Sequence, residues 1–353
     1  MNDVIKPAVR ALRAYTLAPY RASIKLNQNE NPWDAPARIK EEVLRRFAAR
    51  NWSRYPDFIP TSLHEQLADF AAWKPGGVIA GNGSNELIQA VLMVTMGSGK
   101  RALICEPTFM LYRQVATVLD GEVEAVSLTP DLKYDSEALL KTIETRQPDV
   151  IIICSPNNPT GCVIDQAALR SILTASHGIV VIDEAYHEFA GRSVVPLLNE
   201  HDNLVVLRTF SKAMAYAALR VGYLLAAPDV VREIGKAVLP YNLNVFSQIA
   251  AEVAMENYES ELRPLVKQIV SERDRLIDEL SRIDGLTPVE SEANFILVKS
   301  ATDPTRIFAD LLKHDILIRD VSGYPMLRDY FRFSVGTPDE NNRLLSAIRE
   351  ICG

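Results

Sequence analysis

Six short, almost wholly apolar runs constrain this chain more than any other feature. They are "RALICEP" (101–107), "VEAVSL" (123–128), "DVIIICSP" (149–156), "GIVVIDEAY" (178–186), "NLVVLRTFS" (203–211) and "VGYLLA" (221–226). A strand with one wet face alternates polar and apolar residues, and most of these runs do not. They suit strands covered on both faces, hence a mostly parallel sheet between helices. Helical patterns accompany them. One spans Pro36 to Ala49. Another follows Pro60, with Thr61 or Ser62 as its cap and Leu63, Leu67 and Phe70 on one face. A third is opened by the glycine-rich turn of "GNGSNELIQAVLMVTM".

Beyond about Pro240 the pattern changes. A long charged amphipathic helix is expected over 260–282. Strand-like "NFILVK", a helix from Thr305 to Lys313, strand-like "ILIRD" and "YFRFSV", and a last helix from Pro338 follow it. We read a large α/β body at 35–240. A smaller α+β unit at 241–353 is joined by the N-terminal arm, 1–34.

A chain of 353 residues is long enough for two such units. Its net charge is −7 and it has no basic run, which argues against nucleic-acid binding. No apolar run reaches the ~18 residues that would suggest a membrane span. The start lacks a secretory pattern, so a cytoplasmic, reducing location is expected. Cys105, Cys154, Cys162 and Cys352 show no CxxC or metal-ligand spacing, and no disulfide is expected. His64, His177, His187, His201 and His314 form no HxH or HExxH pair, so no metal is expected either.

In open α/β sheets ligands bind beyond the carboxyl ends of the strands. Ser155-Pro156-Asn157-Asn158-Pro159-Thr160-Gly161 follows one apolar run there. Asp183-Glu184-Ala185-Tyr186 follows the next, and Arg208-Thr209-Phe210-Ser211-Lys212 the one after. Gly81-Asn82-Gly83-Ser84-Asn85-Glu86 precedes a long helix, as an anion-binding turn would. Singly these have ordinary readings: a solvated strand-end lysine, a capping carboxylate pair, a turn. Together they place an asparagine, an aspartate, a tyrosine, a lysine and an anion cup on one sheet edge. Pyridoxal phosphate chemistry needs that set. It takes a lysine amine for the cofactor aldehyde, a carboxylate for the pyridine nitrogen, donors for the phenolate oxygen and free N–H groups for the phosphate.

With those residues in hand, the chain resembles the fold-type I pyridoxal phosphate aminotransferases, and most of all their histidinol-phosphate branch. The resemblance runs in order through "LNQNENP", "RYPD", "GNGSNELI", "EPTFMLY", "SPNNPTG", "DEAYHEF", "RTFSKA…LRVGY", "NFILVK" and "RFSVGTPDEN". It implies a large domain with a mostly parallel seven-stranded sheet between helices, plus a smaller α+β domain. It implies that Lys212 holds the cofactor and moves the substrate proton. Asp183 would face the pyridine nitrogen, and Asn158 and Tyr186 the phenolate oxygen. Phe109 would stack on the ring. Ser84, Asn85 and Glu86, chiefly through backbone N–H groups, would hold the phosphate with Ser211 and Arg220. Tyr55 would reach that phosphate from a second subunit, which implies a homodimer with shared sites. Arg332 would grip the substrate's anionic group, with Arg319 as a second contact and Tyr20 beside the substrate. The implied reaction exchanges nitrogen between histidinol phosphate and 2-oxoglutarate, giving imidazole acetol phosphate and glutamate. Aromatic amino acid transamination is the alternative. Phosphothreonine decarboxylation stands further off, since that family opens with an "HGGN"-like segment rather than "LNQNENP". One departure is local: "AYAALR" puts Ala215 and Ala218 where the family usually has glycine.

Overall fold

The computed structural model describes residues 4–12 and 19–352. Leu17 and Ala18, in the "LAPY" stretch that ends at Tyr20, lie outside the described residues. Strand β1 (Ile24–Lys25) stands apart from the central sheet. That sheet has seven strands: β2 (Val78–Gly81), β3 (Arg101–Glu106), β4 (Glu122–Ser127), β5 (Val150–Cys154), β6 (Ile179–Asp183), β7 (Leu204–Thr209) and β8 (Gly222–Ala226). Their order is β2-β8-β7-β6-β5-β3-β4. Strands β3 to β7 run parallel, and β8 alone is reversed, antiparallel to both β7 and β2. The expected α/β architecture with a mostly parallel sheet is thus present. The six apolar runs supply β3 to β8. The seventh strand comes from the short "VIAG" that leads into the glycine-rich turn.

The continuous apolar runs follow from two-sided burial. Along β5, Ile151 and Ile153 enter one core while Val150, Ile152 and Cys154 enter the other. Strand β7 does the same with Leu204 and Val206 against Val205 and Leu207. Successive side chains point to opposite faces, so a strand covered on both sides must be apolar throughout. The helix Gln166–Ala175 packs Leu169, Ile172 and Leu173 on one face. The helix Ser84–Thr95 packs Leu87, Ile88 and Val91 on the other.

The C-terminal part carries an antiparallel sheet of β9 (Leu286–Pro288), β10 (Phe295–Ser300), β12 (Arg319–Asp320) and β13 (Tyr330–Ser334), in the order β12-β13-β10-β9. Strand β11 (Ile316–Leu317) pairs instead with β1, in parallel. The stretch "ILIRD", expected as one strand, therefore divides between two sheets at Ile318. The same pairing ties the N-terminal segment to the C-terminal part. The helix Val245–Glu256, just past residue 240, buries Ile249, Ala250, Val253 and Ala254 in the core of the central sheet. The charged helix spans Arg263–Leu280 after a π turn at Tyr258–Leu262. At the helix Thr61–Ala71 the cap position is Pro60, and no side chain caps it. Thr61 is the first helical residue rather than the cap, because proline's fixed φ suits the entry to a helix. All four cysteines are free thiols, and three of them, Cys105, Cys154 and Cys162, are buried.

Candidate active site

Parallel β5, β6 and β7 end side by side, so the residues that follow them meet. The register sets Cys154 beside Asp183 and Asp183 beside Leu207. The chain beyond these ends forms one wall of a cleft of about 560 Å³. Asn158, Asp183, Tyr186, Ser211, Lys212 and Arg220 all line it. So do Ser84, Asn85 and Phe109 from the large sheet's side, and Arg319 and Arg332 from the C-terminal sheet.

Lys212 is half-buried, and its Nζ donates to the backbone carbonyl of Gln28 at 3.0 Å. Burial, reinforced by the positive charge of Arg332, lowers its pKa from the ordinary 10.5 to about 8. Asp183 is 3 % exposed. Its Oδ2 accepts from the Tyr112 hydroxyl at 2.7 Å and its Oδ1 from the Ala185 N–H at 3.1 Å. Burial raises its pKa to about 6, and the Tyr112 bond works against that rise. The Tyr186 hydroxyl accepts from Asn29 Nδ2 at 3.0 Å, so its own proton is available to a ligand. Asn158 Oδ1 accepts from Arg332 Nη1, which leaves Nδ2 as the donor Asn158 can offer.

A buried ion pair fixes the two strand ends against each other. Arg208, the residue before Thr209 on β7, pairs with Glu184, which follows Asp183, at 2.9 Å. Glu184 Oε1 also accepts from the Val194 N–H at 2.6 Å, and Arg208 Nη2 donates to Ser193 Oγ at 2.7 Å. Such a pair resists dissociation because losing either partner strands a buried charge. It holds the segments bearing Asp183 and Lys212 at a fixed separation.

Another part of the cleft wall, beside Lys212, has the shape of a cup open to an anion. The helix Ser84–Thr95 begins there with no side-chain cap, so its first N–H groups face outward. Gly83, at φ +80°, lies so close to Arg220 that a Cβ would sit 2.4 Å from Nη2. A Cβ on Gly222 would sit 2.3 Å from the Ser84 nitrogen. Both glycines therefore let β8 and Arg220 close on the helix start. Arg220 Nη1 donates to Ser211 Oγ at 3.1 Å. The Glu86 side chain takes no part in the cup: its Oε2 accepts from the Asn82 N–H at 2.6 Å and Asn242 Nδ2 at 2.8 Å. Arg319 and Arg332 are direct neighbours across the β12–β13 ladder. Like charges so placed repel, which favours an anion between them.

Three expected site residues do not line this cleft in the single chain: Glu86, whose side chain turns to Asn82 and Asn242, and two tyrosines. Tyr20 is 51 % exposed and meets Phe308 edge-on at 5.4 Å. Tyr55 is 81 % exposed and stacks on Tyr241 at 4.6 Å. Near Tyr55 lies a separate, more apolar groove of about 620 Å³, lined by Phe58, Ile59, Val78, Leu239 and Pro240 among others. Ala215 holds the left-handed conformation (φ +58°) that glycine takes most readily, and the neighbouring Ala218 lines the cleft. Sequence reading missed Tyr112, Gln28 and Asn29. Tyr112 stood within the quoted "EPTFMLY", and Asn29 within "LNQNENP". The Gln28 contact is made by a backbone carbonyl, which no residue type announces. Among the described residues, no cluster of His, Cys, Asp or Glu could hold a metal ion, and no helix is long and apolar enough to cross a membrane.

Residues 21–348 match the family described as aminotransferase class I and II. The chain is 38 % identical to the histidinol-phosphate aminotransferase of Chlorobium luteolum, over 98 % of each sequence. It is 42 % identical to histidinol-phosphate aminotransferase 1 of Carboxydothermus hydrogenoformans, again over 98 % of each. In three dimensions it resembles histidinol-phosphate aminotransferase from Sinorhizobium meliloti, solved in complex with pyridoxal 5'-phosphate. The TM-score is 0.88 at 22 % identity, over 99 % of this chain and 97 % of that one.

Proposed function

The chain belongs to the class I and II aminotransferases and, within them, to the histidinol-phosphate aminotransferases, and on that premise we propose that it transfers the amino group of histidinol phosphate to 2-oxoglutarate. The products are imidazole acetol phosphate and glutamate, and the step belongs to histidine biosynthesis. One observation carries the reading: Lys212, Asp183, Tyr186, Asn158, Arg220 and Arg332, from distant parts of the chain, line a single cleft. The family works with pyridoxal 5'-phosphate, and the donor set fits it. The uncapped helix start, Ser211 and Arg220 match a phosphate dianion; a buried carboxylate matches a protonated ring nitrogen.

When bound, the cofactor draws electrons from the substrate α-carbon and carries nitrogen from donor to acceptor. This chain's residues do the rest. Lys212 would hold the cofactor through Nζ and would move the substrate's α-proton. Asp183 keeps the ring nitrogen charged. Tyr186 Oη and Asn158 Nδ2 would donate to the phenolate oxygen, and Phe109 would cover the ring. Ser84, Asn85 and Glu86 offer backbone N–H groups at the helix start. Arg332, with Arg319 beside it, grips a carboxylate or a phosphate ester through the same planar fork, so one site serves both substrates.

We assign Tyr55 to the phosphate of a partner subunit, in a cytoplasmic homodimer with shared sites. We place Tyr20 beside the substrate, and take 35–240, with the helix Val245–Glu256 packed into its core, as the cofactor-binding body. Exposed Tyr55, Phe58, Ile59, Leu239 and Tyr241 around the apolar groove support such a covered face. Mixed dimers of Tyr55→Ala and Lys212→Ala subunits are then expected to regain part of the activity each homodimer lacks. Verified hybrids without recovery contradict the shared site. The amine of Lys212 must be neutral to attack an aldehyde. The rate of covalent cofactor attachment to the cofactor-free protein should rise with pH through a midpoint near 8 and level off above it. A rate still climbing at the ordinary lysine value of 10.5 contradicts the assignment.

Complementation tests the function. Expressed in a bacterium lacking its own histidinol-phosphate transaminase, the protein should restore growth without histidine, and Lys212→Ala should not. Well-expressed, cofactor-loaded protein that fails to restore growth overturns the proposed substrate.

A further inference from the structure

The Tyr112–Asp183 contact joins two buried groups, only one of which the reaction described above uses. Tyr112 lies on the helix Leu111–Val118, is fully buried, and also lines the cleft. Its ring meets Phe109 edge-on at 5.6 Å, and its hydroxyl donates to Asp183 Oδ2 at 2.7 Å. A donor this deep could have been satisfied by any backbone carbonyl. Here it is spent on the carboxylate that β6 carries to the cleft.

We propose that Tyr112 is a positioning residue for amino transfer: its hydroxyl fixes Asp183 in the orientation and the ionised form that the cofactor's ring nitrogen requires. The inference rests on the role of Asp183 given above. Two bonds, from Tyr112 to Oδ2 and from the Ala185 N–H to Oδ1, hold the carboxylate plane and leave each oxygen a further lone pair. A carboxylate paired with a ring nitrogen has two states, the ion pair and the neutral pair in which the proton has crossed to oxygen. A hydrogen bond donated to the carboxylate favours the ion pair. The phenol keeps its own proton: burial and the adjacent Asp183 charge hold its pKa well above 10. The other groups facing Asp183 are Glu184, Lys212, Tyr186, Tyr134 and the Cys154 thiol. Of these, Glu184 is already committed to Arg208, and the Tyr134 hydroxyl to the Cys154 carbonyl. Tyr112 is the side chain that donates to Asp183.

The test uses the full-length holoenzyme, loaded with cofactor labelled with 15N at the ring nitrogen. NMR reads the pH at which that nitrogen gives up its proton, and steady-state assays read kcat and KM. Tyr112→Phe removes one oxygen atom. It removes a bond that stabilises the ionised carboxylate, so the pair is expected to hold its proton to a pH about one unit higher, with more of that proton on Asp183 and less on the ring nitrogen. It should also lower kcat about tenfold, with KM within about twofold. Replacing Tyr112 by 3-fluorotyrosine, a more acidic phenol of nearly the same shape, strengthens that bond and is expected to lower the midpoint. This second variant keeps the test decisive if Tyr112→Phe does not fold. A midpoint that neither variant moves overturns the proposal, whatever happens to kcat. A midpoint that moves while kcat stays at the unmodified value overturns the link to the reaction. A ring nitrogen already neutral in the unmodified enzyme overturns the reading of Asp183, and the inference falls with it.

Discussion

Lys212→Ala is expected to abolish the borohydride-trapped cofactor adduct and to lower turnover by at least about a thousandfold. Among the described residues, no other lysine lines the cleft. Lys25 lines an adjoining cavity and is paired with Glu30 at 2.6 Å. An alanine leaves the anion cup and Asp183 intact, so the cofactor should still bind, without a covalent link. Mass spectrometry of the reduced protein locates the adduct. A substoichiometric adduct on a surface lysine is compatible with the assignment. A full adduct on another lysine, with activity retained, refutes it.

Asp183→Asn is the second large effect. Asparagine keeps the shape and can still accept from the Tyr112 hydroxyl, but it carries no charge to balance a protonated ring nitrogen. The chemical step should slow by at least about a thousandfold, because transition-state charge then lacks its preorganised partner. Cofactor affinity should fall by no more than about tenfold, since the phosphate cup supplies most of the binding. Separate measurement of kcat and of cofactor dissociation distinguishes these. Turnover within tenfold of the unmodified enzyme would show that the ring is not charged through Asp183.

What could be read in the sequence divides along a physical line. The strands were legible because two-sided burial demands unbroken apolar runs, as in "VIIIC" and "LVVL". The parallel order then carried the residues after β5, β6 and β7 to one edge, which is why Asn158, Asp183, Tyr186 and Lys212 could be grouped before any coordinates. Tyr112 was not legible, because a tyrosine on the buried face of a helix reads as packing until its hydroxyl is seen to meet a carboxylate. The Arg319–Arg332 neighbourhood depends on strand register, which the sequence does not state. The split of "ILIRD" between sheets was hidden for the same reason: strand partners, not the run itself, decide where it breaks. The glycine-poor "AYAALR" stretch is accommodated, with Ala215 in the left-handed region. Tyr55 and Tyr20 lie outside the cleft of one chain, and only a partner subunit or a bound substrate tests their roles.

The most direct test of the central claim is a single-turnover spectrum of the cofactor-loaded protein. Histidinol phosphate is mixed rapidly with one sample and phenylalanine with another, and the absorption band of the Lys212-linked cofactor is followed. The account predicts fast loss of the band with histidinol phosphate, its return on adding 2-oxoglutarate, and a response to phenylalanine at least about a hundredfold slower. Equal or faster loss with phenylalanine contradicts the assigned substrate. A protein that holds cofactor but shows no Lys212-linked band contradicts the site itself.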